Sequence, residues 1–318
     1  MLNRRHLRIK ILQALYSLYQ TEDSEFGKVE KSLMLSIEKM YEMYLFLLLL
    51  IIEIRDAAER KIEDNKNKRL PTHEDLNPNL RFVENAFVGQ LDSNIALKTA
   101  AQHAKVSWMG EGELIRKLYR LFVDTEEYKA YMSAEIDDKN AYEMDREVVI
   151  RIFKRHLINS ESLWMFFDDK SILWSDDLDL VASMVIKTFK SFEADSDASH
   201  PILPLWKDPE DEKPFVKILF RKTWAQGPEH RKIIEKSTEN WEVDRIALMD
   251  MILMQMALTE AREFNQIPLK VTLNEYIEIA KYYSTPKSST FINGILDKIF
   301  IQMQEEGTIK KVGRGLIT

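Results

Sequence analysis

Nine glycines and nine prolines in a chain of 318 residues leave few positions where the backbone can turn sharply. Sheet-rich folds need such positions at short intervals. Their scarcity, with Leu, Ile, Met, Lys and Glu abundant, argues for long helices and an all-α fold. A hydrophobic fraction of 45% is enough to fill the core of one large or two ordinary domains. Cysteine is absent, which removes disulfides, thiolate metal sites and a cysteine nucleophile in one step and fits a reducing compartment.

The longest apolar run, Leu45 to Ile52, is about eight residues where a membrane span needs roughly twenty. The segment Tyr44 to Ile54 therefore reads as a buried helix in preference to a partner-facing stripe. At the N-terminus, Arg8 and Lys10 interrupt the apolar positions, so the continuous core of a signal peptide is missing. A cytoplasmic protein without membrane contact is expected.

Apolar spacing at Leu7, Ile11, Ala14, Leu15 and Leu18 predicts a first helix ending near Gln20, and a second, long helix is expected from about Lys28 to Ile62. Asn65 to Pro78 reads as a break. Further helical patterns cover Ala96–Trp108, Glu113–Met132, Arg146–Leu157 and Leu178–Phe192. Glu193 to Glu212 reads as a polar, proline-punctuated linker. Beyond it Phe215, Ile218, Leu219 and Lys222 start one helix, and Val243 through Leu258 mark another that fades before Pro268. Thr272-Leu273-Asn274-Glu275 fits a capping box at a helix start, and Ser288 fits the cap of a last helix.

The net charge of -7 argues against nucleic acid only as an average. Arg4, Arg5, Arg8 and Lys10 crowd the first ten positions, no acid precedes Glu22, and Lys310, Lys311 and Arg314 lie in an acid-free tail. Cations in a first helical turn oppose the macrodipole, so stability alone would prefer acids there. Arg5 and Arg8 share a flank at helical spacing, suited to successive phosphates. The competing reading is a solvated cationic helix start.

The stretch Glu260, Pro268, Lys270 to Glu275, Ala280-Lys281 and Phe291-Ile292-Asn293-Gly294-Ile295-Leu296-Asp297 resembles the C-terminal signature of the NusB family. Arg4-Arg5-His6-Leu7-Arg8 followed by Gln13-Ala14-Leu15-Tyr16 is similar to that family's arginine-rich motif and the helix behind it. The resemblance covers residues 4–20 and 213–303 of a chain more than twice the usual length. It implies a helical fold of two subdomains with an extra helical insertion: 1–20 as arm and first helix, 21–212 as the insertion plus the remaining N-subdomain helices, 213–305 as the C-terminal subdomain, and 306–318 as a basic tail. It also implies a transcription antitermination factor that binds single-stranded boxA-type RNA with NusE, a small-subunit ribosomal protein, to modify RNA polymerase during rRNA transcription. The implied RNA contacts are Arg4, Arg5, His6, Arg8, Lys10, Lys287, Ser288 and Phe291. His6 stands where arginine is common, and as an ordinary histidine it would titrate near pH 6.5.

Each feature also has a plainer reading. Phe291 can be core and Ser288 a cap, Asn293-Gly294 can serve close helix packing, and Tyr16 can be half-buried packing. No catalytic set is identifiable and no cofactor is implied. His73-Glu74 lacks a second histidine and Gly110-Glu111-Gly112 is too short and acidic to cradle phosphate. Asp137-Asp138, Asp168-Asp169 and Asp176-Asp177 could bind a cation, but acidic pairs at helix starts are usually solvated caps. The rival functions are a helical protein-interaction module and the accessory domain of an rRNA methyltransferase, whose catalytic cysteines and glycine-rich loops are missing here.

Overall fold

The computed structural model describes residues 2–21, 25–135, 140–174, 177–238 and 246–316. Fifteen α-helices and no strand occur among them, as an all-α chain requires. The chain divides into two compact units, Met1–Ile37 with Trp206–Thr318, and Glu38–Leu205.

In the first unit the helix α13 (Leu248–Glu263) is the centre. Every residue from Asp250 to Ala261 is buried, because α1 (Arg4–Gln20), α11 (Pro209–Ala225), α12 (Gly227–Ser237), α14 (Leu269–Tyr283) and α15 (Ser288–Glu305) all pack against it. A helix buried all round carries apolar residues all round, and this one reads Met-Ile-Leu-Met-Gln-Met-Ala-Leu from 251 to 258. Leu7, Ile11, Leu15 and Leu18 form the buried stripe of α1, as their spacing predicts. The beginning of α2 (Phe26–Lys66) also belongs here, with Phe26 stacked on Phe220 and Glu30 paired to Arg221.

Three helix starts differ from the sequence reading. The helix α11 begins at Pro209, inside the expected linker: Asp208 accepts from the Asp211 amide, Pro209 supplies a preset φ, and Glu210 to Glu212 suit the positive end of the helix. The helix α14 begins directly after Pro268, so Thr272 and Glu275 lie inside it and cap nothing. Ser288 is the first residue of α15, follows Lys287 as cap position, and turns its hydroxyl to the carboxylate of Asp250 at 2.7 Å instead of to the helix. Val243 lies outside the described residues.

The second unit contains the rest of α2 with α3 (His73–Leu76), α4 (Ala86–Ser93), α5 (Ile95–Ala104), α6 (Gly112–Arg120), α7 (Glu126–Ser133), α8 (Ala141–Ile152), α9 (Glu161–Lys170) and α10 (Leu178–Ser191). Its core is built on the apolar run of α2: Met43 to Leu48, Leu50, Ile51 and Ile54 are buried. Two indoles dock there through their N–H groups, Trp108 on the Phe46 carbonyl at 2.9 Å and Trp174 on the Lys39 carbonyl at 2.6 Å. The buried Tyr44 hydroxyl pairs with Thr188 at 2.6 Å. The expected helix 113–132 is two helices, because Thr125 accepts from the Tyr128 amide and starts α7 afresh. Asp168 and Asp169 close α9 and do not start it, whereas Asp137-Asp138 and Asp176 lie outside the described residues. Among the described residues no helix is long and apolar enough to cross a membrane.

The expected linker is partly buried, at Ile202 and Glu212. The turn after α2 is different: Lys68 and Arg69 are exposed and Leu70 is 86% exposed. Brief trypsin treatment should cut first at Lys68 and Arg69 and spare α8 and α10. Early fragments ending within Arg146–Arg155 or at Lys187 would contradict this packing.

Candidate nucleic-acid interface

The first turn of α1 is held by a reciprocal cap. The Asn3 side chain accepts from the His6 amide at 3.1 Å, and the His6 ring accepts from the Asn3 amide at 3.3 Å. Burial, with Arg5 adding to it, lowers the His6 pKa to about 4. The imidazole is therefore neutral at pH 7 and is no switch near pH 6.5.

The arginines meet acids from three other helices, which offsets the unfavourable macrodipole. Arg4 pairs with Asp211 of α11 at 2.5 Å, and Arg5 forks onto Glu275 of α14 at 2.6 and 3.0 Å. Arg8 faces inward and is no exposed flank residue. Its guanidinium forks onto Glu260 of α13 at 2.7 and 2.8 Å and reaches Glu275 at 3.3 Å. Glu260 is fully buried and also accepts from the Thr272 hydroxyl at 2.9 Å and the Tyr276 hydroxyl at 3.1 Å. Burial works against the Arg8 charge, but the adjacent Glu260 outweighs it and holds the pKa above the ordinary value. Lys10 is buried as well. Of the five basic or histidine candidates on α1, only Arg4, Arg5 and His6 have partial exposure.

Arg4 and Arg5 edge an open pocket of about 610 Å³, with Asn3, Pro268, Val271 and Glu275 on its walls. The C-terminal tail is not a free basic arm. Lys311 donates to the Phe264 carbonyl at 3.1 Å, and burial lowers its pKa to about 8 against the pull of Glu260.

The second group of candidates lies at the other end of α14. Asp250 accepts from Ser284 at 2.5 Å and Ser288 at 2.7 Å, and Thr285 and Ser288 share a hydrogen bond of 2.8 Å. This network pins the turn between α14 and α15, which makes Ser288 a buried structural residue. Beside it Lys287 is exposed and Phe291 half-buried, and both line a pocket of about 600 Å³ with Asp250, Pro286 and Thr290. Asn293 and Gly294 are exposed, and a Cβ added at Gly294 would meet nothing within 4 Å, so close packing does not explain that pair.

Charge is divided between the units. Residues 38–205 hold 22 Lys and Arg against 31 Asp and Glu, a net -9; the remainder holds 23 against 21, a net +2. Asp211, Asp250 and Glu260 escaped the sequence reading as functional groups. Carboxylates at 250 and 260 flanking the apolar run of one helix were the available signal, since a buried charge demands a partner.

The family model described as NusB family matches residues 184–300. A transcription antitermination protein NusB of Salinibacter ruber is 44% identical over 138 residues, covering 42% of this chain and 86% of that protein. The chain belongs to the NusB family. The protein of the same name from Chloroherpeton thalassium is 48% identical over 84 residues, 26% of this chain and 40% of its own. That of Natranaerobius thermophilus is 35% identical over 91 residues, 29% and 66% respectively. No solved structure is a significant match. The match to the NusB family model stops short of α1, yet α1 supplies the guanidinium that neutralises the buried carboxylate of α13.

Two expectations follow. Arg8→Ala strands a buried carboxylate and should cost about 3–5 kcal/mol in urea unfolding, while Arg5→Ala at a part-exposed pair should cost about 1 kcal/mol or less. Equal costs would show that burial does not separate the two.

The second concerns pH. His230 is fully buried on α12, neither ring nitrogen has a hydrogen-bond partner, and burial with Arg262 nearby lowers its pKa to about 4. The unfolded imidazole binds its proton at higher pH, so His230 and His6 favour the folded state fully above about pH 6.5 and progressively less as pH falls toward 4. His230→Leu should flatten the loss of stability over that window; an unchanged slope would mean that the ring is solvated.

Proposed function

We propose that this protein is an RNA-binding transcription antitermination factor that acts with NusE on boxA-type single-stranded RNA in the RNA polymerase antitermination complex of rRNA transcription. Membership of the NusB family and the names of the relatives support the antitermination role. The observation that carries the RNA reading is the pocket where the Lys287 ammonium and the Phe291 ring sit together at the start of α15. A cation for phosphate, an aromatic face for a base and a helix start are the elements of single-strand recognition.

Arg4 and Arg5 form the other contact. Their acid partners are part-exposed, and such pairs are worth little in water, so a phosphate can displace the carboxylate without unfolding the helix. Arg8, Lys10 and Ser288 are buried and support the surface from behind. The net +2 of this unit is small, which predicts weak binding alone and tighter binding when NusE adds contacts.

The test is titration of boxA RNA, with and without NusE, against scrambled RNA. Binding should be sequence-selective, strengthened by NusE, and reduced steeply by salt. Phe291→Ala should cost about 1–3 kcal/mol of RNA affinity, as loss of one base stack does, and Lys287→Glu should lower it further. Absence of binding at low salt with NusE present would end this reading.

A further inference from the structure

We infer that the outward face of α9, in the acidic unit, is a docking surface for a cationic, apolar-faced helical segment of a protein partner. At 100° per residue Glu161, Trp164, Met165, Asp168 and Asp169 share one side of α9, while Leu163 and Phe167 on the other are buried. Trp164 is 47% and Met165 50% exposed. Large apolar side chains of this kind are what an interface uses as anchors, tryptophan for area and methionine for adaptable fit.

A neighbouring turn braces the flank of α9 that bears Phe166 and Lys170. Trp108 stacks on Phe166 at 4.6 Å, and Lys170 bridges to Glu111 at 3.6 Å while lying over the Phe166 ring at 4.4 Å. These contacts fix the 108–112 turn beside α9. Gly110, with φ +92, lets that turn project Met109, which is 88% exposed. The helix backbone that carries Trp164 and Met165 is thus braced by an aromatic cluster on its other flank.

Charge selects the occupant. Glu161, Asp168 and Asp169 lie on this face, the one cation of α9, Lys170, lies on the far flank paired to Glu111, and the unit around it has a net -9. Such a field draws in a basic partner and repels RNA, anionic lipid and a second copy of this surface. A helix with an apolar stripe flanked by Lys or Arg meets both the Trp-Met ridge and its acidic rim.

The probe is a fluorescein-labelled amphipathic peptide of Leu and Lys, titrated into the full chain by anisotropy, with a Leu and Glu peptide of the same pattern as control. The Lys peptide should bind and the Glu peptide should not. Trp164→Ala with Met165→Ala should weaken binding tenfold or more at unchanged melting temperature. Asp168→Asn with Asp169→Asn should weaken it several-fold and flatten its salt dependence, and exposed Ile95→Ala on α5 should change nothing. Affinity for the Lys peptide that survives both double variants, or stronger binding to vesicles of phosphatidylglycerol, would overturn the inference. Binding of boxA RNA should be indifferent to the Trp164 variants, so failure here and failure of the RNA reading are distinguishable.

Discussion

A buried ion pair, Arg8 with Glu260, sets the terms for the first unit. Taking two charges out of water costs several kcal/mol per ion, and the cost is offset only when the geometry is good and the remaining lone pairs are satisfied. Both conditions hold here: the guanidinium approaches in a fork, and Thr272 and Tyr276 supply the two further donors. The network draws on α1, α13 and α14 at once. A shift of α1 by one residue would turn Arg8 about 100° off its partner and leave the carboxylate stranded in an apolar helix. The register of α1 is therefore specified chemically as well as by its Leu and Ile stripe, and with it the position of Arg4 and Arg5 at the pocket edge.

Depth divides identical residue types into different roles. Arg8 is 3% exposed and committed to the interior; Arg5, three residues earlier, is 42% exposed and shares Glu275 with solvent. The first gives specificity to the fold and the second an exchangeable surface charge. The same division separates Ser288, locked to Asp250, from its neighbour Lys287 in open solvent. Proximity in sequence to a basic motif thus says little about availability to a ligand.

Helices were legible in the sequence wherever one face is apolar and the other polar, as in α1, α2 and α10. Legibility failed where local chemistry admitted two uses. Thr272 and Glu275 have the spacing of a capping box, but Pro268 starts the helix earlier and a carboxylate twelve residues back claims the threonine. Pro209 read as a linker residue because proline breaks helices, yet at the first helical position it helps begin one. The short helices α3, α4, α9 and α12 escaped because about one to three turns give too few periods to register against noise. For the site, the residue types at 4, 5, 287 and 291 were visible, but burial of Arg8, Lys10 and Ser288 depends on distant elements that no local pattern contains.

The pocket at Arg4 and Arg5 and the pocket at Lys287 and Phe291 lie toward opposite ends of α14, one walled by Pro268, Val271 and Glu275 and the other by the turn that follows Tyr283. At about 1.5 Å per residue, a helix from Leu269 to Tyr283 separates them by about 20 Å. A small molecule cannot touch both. An extended polymer with regularly spaced charges and flat bases can, and the helix between the pockets is fixed at both ends by a buried carboxylate, Glu260 near its start and Asp250 beyond its end. Those two carboxylates stand ten residues apart on the same helix, α13, so the separation of the pockets is set by two adjoining helices held to each other by polar contacts in the core. A surface whose spacing is built into the core in this way presents the same contact distance to every ligand, which is what recognition of a strand at two points requires.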